Sequence, residues 1–386
     1  MMPLFTPEQD KFRAEVCALL CEEDVAGSVA RCRRLPAGEE PELLDVYRRL
    51  GERGWLAPNW APEHGGLGAT MVEKAILTEE LVRHGVPDVT HGLSIDIVGL
   101  AIKLLGTDAQ RDRLLPGLAR GETSAAVLFS EPGVGSDLSS LRTRAEPDGD
   151  GGWRLFGRKI FSMKTQFADF AVTAARTTDT GVKYHGITLF LVPLKNLAVT
   201  MRPMWNLTED RMIDVTLDGV RVGADDVLGE VDEGWQTVNR FLGLERTGVD
   251  TAAKAQRLLD AVLRHAAATG RLDDPAYAHR LLDLTARVRA ARLLAWRCVT
   301  NLVDGRADDV QSSTAKWHAT EVFKELAVLA PEFTGLDGVL DARDADAPVD
   351  GIVDAAYREA PGLTLAAGTS QIMLYVIATQ GLELLR

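Results

Sequence analysis

The sequence is poor in the residues that build metal centres and disulfide frameworks. Its 386 residues include four cysteines and seven histidines. No two cysteines have CxxC spacing, and no HExxH segment occurs. Cys17 and Cys21 stand four residues apart, but no second CxxC or HxxxH run accompanies them. We therefore expect no metal site, and we expect the cysteines to be small buried residues of a reducing compartment.

Long apolar runs and an excess of positive charge are also missing. No apolar run approaches the roughly 18 to 20 residues that span a bilayer. Lys and Arg total 43 against 56 Asp and Glu, which gives a formal net charge of −13. An acidic chain without a Lys/Arg block repels phosphate backbones and anionic lipid, so we expect neither nucleic acid nor membrane as a partner. Because the first residues lack a charged-then-apolar leader, we expect a cytoplasmic protein.

The motifs of nucleotide-binding folds are incomplete. Gly133 and Gly135 supply the first two glycines of GxGxxG, but Leu138 stands where the third belongs. No GxxxxGK[ST] segment occurs, so a P-loop is excluded. The glycine-rich segment can instead form a turn that offers N–H groups and hydroxyls to an anionic ligand. Ordinary loop chemistry explains the same residues, and both interpretations stay open at this point.

The periodicity of the apolar residues changes twice along the chain. Apolar residues recur three and four apart over residues 5–123, and again from residue 229 onward, which predicts helices. Between 124 and 228, short Val-, Ile-, Phe- and Thr-rich runs are separated by Gly and Asp, which predicts a small antiparallel sheet or barrel. We therefore predict an α+β fold with a helical domain at 1–123, a β domain at 124–228 and a helical bundle at 229–386.

Several segments, taken in order, match one family. The segments are Gly106-Thr107-Asp108-Ala109-Gln110, Phe129-Ser130-Glu131-Pro132-Gly133-Val134-Gly135-Ser136-Asp137, Gly157-Arg158-Lys159-Ile160-Phe161, Asp218-Gly219-Val220-Arg221-Val222, Glu245-Arg246, Tyr357-Arg358-Glu359-Ala360 and Gly368-Thr369-Ser370-Gln371-Ile372. Through these segments the sequence resembles the acyl-CoA dehydrogenase family from about residue 5 to residue 383. The resemblance implies an N-terminal helical domain, a middle antiparallel β-barrel-like domain and a C-terminal four-helix bundle.

The resemblance implies FAD as cofactor. Phe161 takes the position of the Trp that packs on the flavin ring, and an aromatic residue suits that role. Met163 stands where the family has a small Thr, and we expect its thioether to narrow the pocket or to displace the flavin. The cofactor-binding positions carried over from the family are Phe129, Ser130, Gly135, Ser136, Phe161, Met163, Arg271, Thr369 and Gln371.

The catalytic base departs from the usual pattern. The family's reaction removes a proton next to a thioester carbonyl, commonly with a Glu just before Gly-Thr, where this chain has Ala367. A minority of members carry the base before an Arg on a bundle helix, and Glu245 matches that position. The resemblance thus implies Glu245 as base, the Ala367 backbone N–H as donor to the thioester carbonyl, and Arg246 near CoA. The alternative is that Glu245 and Arg246 form a surface ion pair.

The segment that reaches a neighbouring subunit in homotetrameric members is also changed. The chain lacks the usual Arg-x-x-Phe-Gly there, and Arg271 is the candidate substitute, so the sequence is equally consistent with a homodimer and a homotetramer.

The resemblance implies a dehydrogenase of an acyl thioester, on CoA or a carrier protein, with electron-transferring flavoprotein as acceptor. The displaced base and Met163 favour an unusual substrate, such as a γ,δ bond in polyketide biosynthesis or a bulky acyl chain. A flavin monooxygenase and a non-catalytic subunit of a heteromer are the alternatives.

Overall fold

The computed structural model describes residues 5–36, 38–39, 44–87, 89–238 and 247–384. The chain forms two compact units, and each is discontinuous in sequence. One unit combines Met1–Glu42, Thr70–Pro87 and Arg246–Arg386, and the other combines Leu43–Ala69 with Asp88–Glu245. Within the described ranges, none of the helices has the length and apolar character that crossing a membrane requires.

Along the sequence, helices come before and after the β-strands. The helices are α1 (Pro7–Leu20), α2 (Glu23–Cys32), α3 (Leu44–Gly51), α4 (Met71–His84), α5 (Val89–His91), α6 (Leu100–Leu105), α7 (Asp108–Ala119), α8 (Val249–Ala268), α9 (Pro275–Val303), α10 (Asp309–Thr334), α11 (Ile352–Leu363) and α12 (Ser370–Val376). A π-helical segment, Gly92–Gly99, joins α5 to α6. The strands are β1 (Ala125–Leu128), β2 (Arg144–Pro147), β3 (Trp153–Met163), β4 (Phe170–Arg176), β5 (Ile187–Pro193), β6 (Val199–Trp205), β7 (Arg211–Val222) and β8 (Val227–Leu228).

Capping residues fix where several helices begin. Helix α4 starts at a capping box in which the Thr70 hydroxyl accepts from the first turn and Glu73 bonds back to the Thr70 N–H. It ends at Gly85, whose φ of 74° is the left-handed conformation that glycine adopts without a Cβ penalty. Helices α1 and α7 begin at capping boxes of the same kind, on Thr6 and Thr107.

The helical unit is built on one apolar core. Helices α8, α9, α10 and α11 contribute fully buried side chains, including Leu258, Val262, Leu284, Phe323 and Phe333. Burial of such side chains contributes about 1.5–3 kcal/mol each, which makes this core the main source of stability of the unit. Helix α4 packs against α8 and α1, although 164 residues of the chain separate α4 from α8.

The other unit contains one eight-stranded sheet. Its order is β6-β7-β3-β2-β4-β5-β8, and β1 also pairs with β4. The pairings are antiparallel, except that β1 and β2 each pair with β4 in parallel among the described strands. The predicted fold class, with helices before and after a β domain, is thus confirmed. The proposed boundaries at residues 123 and 228 stay predictions.

Candidate active site

The Glu-Pro-Gly segment forms a tight turn at the end of β1. The N–H of Glu131 donates to the Val134 carbonyl at 2.9 Å, and the N–H of Val134 donates back at 2.8 Å. Pro132 occupies the second position of the turn, and Gly133 has a φ of 82° at the third, as a type II turn requires. A Cβ on Gly133 or Gly135 would meet nothing within 4 Å, so the outer side of this turn is open to a ligand.

A buried ion pair anchors this turn to strand β3. The Glu131 carboxylate accepts from the N–H groups of Arg142 at 2.7 Å and Thr143 at 2.9 Å, and from Lys159 Nζ at 2.8 Å. Lys159 Nζ also donates to the Phe129 carbonyl at 3.1 Å. Both charged side chains are buried, Lys159 completely. Burial lowers the pKa of Lys159 to about 8, although the Glu131 charge pulls in the opposite direction.

Strand β3 presents Phe161 from a distortion beside the turn. The Ile160 N–H donates to the Ser130 carbonyl at 2.9 Å, and the Ser162 hydroxyl donates to the Val127 carbonyl at 2.8 Å. Between these two bonds the pairing with β7 shifts, and Phe161 has a φ of 60°. Its ring is 54% exposed. A bulky residue held at positive φ with an exposed ring is typical of a bulge that re-aims a functional side chain.

The structure thus brings part of the predicted cofactor set together. The Phe129 carbonyl accepts from the Lys159 side chain and the Ser130 carbonyl accepts from the Ile160 N–H, directly before Phe161 on β3. Met163 lies two residues beyond Phe161 and is half-buried opposite Met212 of β7. The expected narrowing of the pocket by Met163 stays a prediction.

Gly135 and Ser136 are exposed at the far end of the turn, next to a rigid acidic residue. The Asp137 carboxylate accepts from the hydroxyls of Ser140 at 2.6 Å and Ser139 at 2.7 Å, and from Lys183 Nζ at 2.9 Å. These hydrogen bonds, with the Lys183 charge, hold the pKa of Asp137 well below its usual range. Asp137 therefore stays ionised and serves to order the loop.

Three of the remaining described candidates lie in the helical unit, in the turn between α11 and α12 and in the first turn of α12. Ala367 is exposed and has a φ of 51°, and Gly368 follows with a φ of 95°. Thr369 caps α12, because its hydroxyl accepts from the Ile372 N–H at 3.2 Å. Gln371 is exposed in the first turn of that helix. Among the described residues, none accepts a hydrogen bond from the Ala367 N–H.

A buried lysine holds this turn in place. Lys316 Nζ donates to the carbonyls of Leu363 at 3.0 Å and Gly368 at 2.7 Å, at either end of the segment that carries Ala367. The Ser370 hydroxyl donates to Glu321 at 2.6 Å, which fixes the start of α12 on α10. Sequence reasoning missed both residues of α10. The signal for Lys316 was its position three, four and seven residues before the buried Ala319, Thr320 and Phe323 on one helix face.

Arg271 is occupied within its own chain. Its guanidinium donates to the Glu332 carbonyl at 3.1 Å and lies over the Tyr277 ring at 5.5 Å. The predicted role of Arg271 at a cofactor stays a prediction. Glu245 and Arg246, the predicted base and CoA contact, lie outside the described residues, and their roles also stay predictions.

Three family models match consecutive parts of the chain. They are the acyl-CoA dehydrogenase N-terminal domain at residues 6–122, the middle domain at 126–220 and the C-terminal domain at 232–382. The chain therefore belongs to the acyl-CoA dehydrogenase family, as the sequence motifs indicated. Members of this family are FAD-dependent flavoproteins that oxidise carbon–carbon bonds, and the chain is an oxidoreductase of this class.

Curated relatives and solved structures support the same assignment. FadE34 of Mycobacterium tuberculosis is 33% identical over 97% of this chain, which spans 50% of that protein's length. FadE26 of the same organism is 28% identical and is matched over 99% of this chain and 98% of its own. A solved structure described as a steroid ACAD, Tcur3481-Tcur3483, is 28% identical with a TM-score of 0.90 over 100% of both chains. The ChsE4-ChsE5 complex of M. tuberculosis is 26% identical with a TM-score of 0.88 over 100% of both chains.

Proposed function

We propose that the chain dehydrogenates an acyl-CoA thioester and forms a carbon–carbon double bond in its acyl chain. The observation that supports this proposal is the hydrogen bond from the Ile160 N–H to the Ser130 carbonyl, which connects the segment before the Glu-Pro-Gly turn to β3 next to the exposed Phe161. An exposed aromatic ring at positive φ, next to open glycines, fits a planar cofactor with an anionic tail. We assign Phe129, Ser130, Gly135, Ser136 and Phe161 to FAD binding.

The substrate that we propose is a thioester of a bulky, ring-bearing acyl chain. The relative described as a steroid ACAD supports this substrate class. Oxidation at the γ,δ position, polyketide substrates and carrier-protein thioesters are more specific alternatives that the experiment below distinguishes.

The chain's own residues have three tasks in this reaction. Glu245 removes the acidic proton beside the thioester carbonyl, and its carboxylate retains that proton. The N–H of Ala367 donates to the carbonyl oxygen where negative charge develops, and Lys316 fixes that N–H through the flanking carbonyls. FAD held by the residues assigned above would supply the acceptor for the hydride from the adjacent carbon. We assign Thr369 and Gln371 to cofactor contacts at the start of α12.

Our proposal includes a second subunit that contributes to the cofactor site. The ChsE4-ChsE5 complex is a heteromer by its description, and electron-transferring flavoprotein occurs among the structural relatives. Because Arg271 is held by Glu332 and Tyr277, we infer that another chain supplies the cofactor contact that the Arg-x-x-Phe-Gly segment makes in homotetramers. The partner we propose is a second chain of this family, and electron-transferring flavoprotein is the acceptor.

The test is anaerobic flavin bleaching with a panel of thioesters. The purified protein, with and without a co-expressed partner chain, is mixed with saturated straight-chain, saturated ring-bearing and α,β-enoyl members on CoA and on a carrier protein. We expect bleaching with ring-bearing saturated CoA thioesters. Glu245→Gln lowers the bleaching rate at least about 10²-fold, the usual contribution of a general base, and the exposed control Glu230→Gln leaves it unchanged.

The other outcomes separate the alternatives. Bleaching by enoyl members alone would establish γ,δ chemistry and overturn the α,β assignment. A yellow protein that no thioester bleaches, but that consumes oxygen when its flavin is reduced, would establish a monooxygenase. A protein that stays colourless with and without its partner would overturn the assignment of FAD binding and favour a non-catalytic subunit. Full activity in Glu245→Gln would overturn the assignment of the base.

A further inference from the structure

Two helices of the helical unit carry four metal-ligating side chains on facing surfaces. Cys17 and Cys21 are four residues apart on α1 and its C-terminal cap, and Glu80 and His84 are four residues apart on α4. Side chains at this spacing lie on one helix face, and α1 packs against α4. The ligand atoms of Cys17, Glu80 and His84 all lie within 4.8 Å of one another. None of these residues belongs to the candidate active site.

Two distances between the helices are close to those around a tetrahedral ion, and Cys21 adjoins His84 outside the group of three whose ligand atoms lie within 4.8 Å of one another. Cys21 Sγ lies 3.6 Å from His84 Nε2, and Cys17 Sγ lies 3.1 Å from Glu80 Oε2. With Zn–S near 2.3 Å and Zn–N or Zn–O near 2.1 Å, two ligands of one tetrahedral zinc stand about 3.6 Å apart. The Cys21–His84 pair already has that separation, and the Cys17–Glu80 pair needs to open by about 0.5 Å.

The surrounding hydrogen bonds orient these ligands. His84 Nδ1 lies 2.8 Å from the Glu80 backbone carbonyl, so that nitrogen carries the proton and Nε2 presents its lone pair toward Cys21. Arg13 donates to Glu80 Oε1 at 2.5 Å, which leaves Oε2 facing Cys17. A metal-bound histidine has the same second hydrogen bond in most known sites.

We propose that Cys17, Cys21, Glu80 and His84 bind one zinc ion that links α1 to α4. Two thiolates and one carboxylate give the ligand set a charge of −3, so the complex with Zn²⁺ has a charge of −1. Arg13 and Arg83, whose guanidinium nitrogens lie 2.5 and 3.6 Å from Glu80 Oε1, offset that remaining charge.

Zinc binding at this site exchanges protons with the solvent. Burial, together with the Glu80 carboxylate, raises the pKa of the Cys17 thiol to about 11, so the metal-free thiol is protonated. The ion displaces the protons of both thiols to water as the two Zn–S bonds form, and no electrons are transferred. The Cys17–Cys21 spacing alone predicted no metal site, because the residues that the two cysteines face lie 63 residues further along the chain.

Cobalt substitution in the FAD-loaded, full-length protein tests the proposal. Tetrahedral Co²⁺ absorbs at wavelengths longer than the flavin bands, and thiolate ligands add a charge-transfer band in the near ultraviolet. We expect one Co²⁺ per chain with both signals, and we expect one equivalent of Zn²⁺ to displace it. Cys21→Ser and His84→Gln are expected to weaken zinc binding at least tenfold in chelator competition, and Cys17→Ser to reduce the charge-transfer band.

Cys32→Ser is the matched control, because Cys32 is a half-buried thiol of the same unit outside the cluster. This variant is expected to bind zinc like the parent, and zinc is expected to raise the melting temperature of both. Circular dichroism without metal checks that each variant is folded. Octahedral Co²⁺ spectra, or zinc affinity that is unchanged in Cys21→Ser and His84→Gln, would overturn the proposal.

Discussion

Two residues of the candidate site have positive φ angles although they are not glycine, and this backbone conformation is unfavourable for them. Phe161 and Ala367 have φ angles of 60° and 51°, in the left-handed region that disfavours a Cβ. Such conformations cost about 1–3 kcal/mol and persist only where the surroundings fix them. Here the surroundings are identifiable, namely the bonds of Ile160 and Ser162 to the β1 end and the bonds of Lys316 around Ala367. Both residues occupy positions to which the family resemblance gives a role.

The ring of Phe161 is expected to hold the flavin. Phe161→Ala removes an aromatic contact worth about 0.5–1.5 kcal/mol beyond its buried area, so FAD affinity is expected to fall about three- to tenfold or more. Phe161→Trp, which restores the residue usual in the family, is expected to keep or increase affinity. The measurement is equilibrium dialysis of FAD against the reconstituted protein.

Phe156→Ala is the matched control for this prediction. Phe156 is the same residue type on the same strand, but it lies under the Arg144 guanidinium at 4.5 Å. Equal FAD retention in all variants would show that the exposed ring of Phe161 has another purpose.

At the scale of elements, the buried ion pair of Glu131 and Lys159 connects the Glu-Pro-Gly turn to the sheet. Glu131→Gln leaves the Lys159 ammonium fully buried without a counter-charge, and breaking such a pair costs about 3–5 kcal/mol. Glu131→Gln/Lys159→Met removes the stranded charge as well, and we expect it to recover at least half of that loss. The measurement is the free energy of unfolding by urea of the flavin-free protein, compared among parent, single and double variants.

The pH dependence of Glu131→Gln has a defined sign. The folded-state pKa of Lys159 lies below its ordinary value of 10.5, near 8 in the parent, and removing Glu131 lowers it further. The folded variant therefore binds fewer protons than the unfolded chain between these pKa values, and its stability rises with pH there. The parent gains stability in the same way above its own Lys159 pKa of about 8, so the deficit relative to the parent is greatest below the lowered pKa of the variant, shrinks up to about pH 8 and is constant above it. A deficit that is independent of pH would contradict a stranded charge.

The elements differ in how far the sequence predicts them. The turn at the glycine-rich segment and the α–β–α order follow from local residue chemistry, and both were predicted from the sequence. The bulge at Phe161 was not predictable, because it depends on hydrogen bonds from β3 to a segment about 30 residues earlier. The same holds for Lys316, whose partners lie about 50 residues later.

At the scale of the whole molecule, the discontinuous helical unit needs a connection that no local pattern encodes. Helix α4 is continuous in sequence with segments of the other unit, yet its Glu79 is buried against the C-terminal helices. Arg292 donates to the two Glu79 oxygens at 2.8 and 3.0 Å, and Trp296 Nε1 donates at 2.7 Å. Arg13 of α1 adds a fourth bond at 3.1 Å. One carboxylate thus joins three separate stretches of the chain.

Glu79 makes the stability of this unit depend on pH in the acid range. Burial opposes its ionisation, but the hydrogen bonds and charge of Arg292, with Trp296 and Arg13, outweigh burial and lower its pKa below the ordinary 4.5. Its contribution is therefore complete above pH 4.5 and is lost as the pH falls through the folded-state pKa. Glu79→Gln leaves Arg292 without its carboxylate, whereas Arg13 keeps its bond to Glu80, so we expect a loss of about 3 kcal/mol at neutral pH that diminishes in acid. The exposed Glu332, paired with Arg280, supplies the control Glu332→Gln, which is expected to change stability little. An unchanged melting midpoint in Glu79→Gln would show that the apolar core alone holds α4 in place.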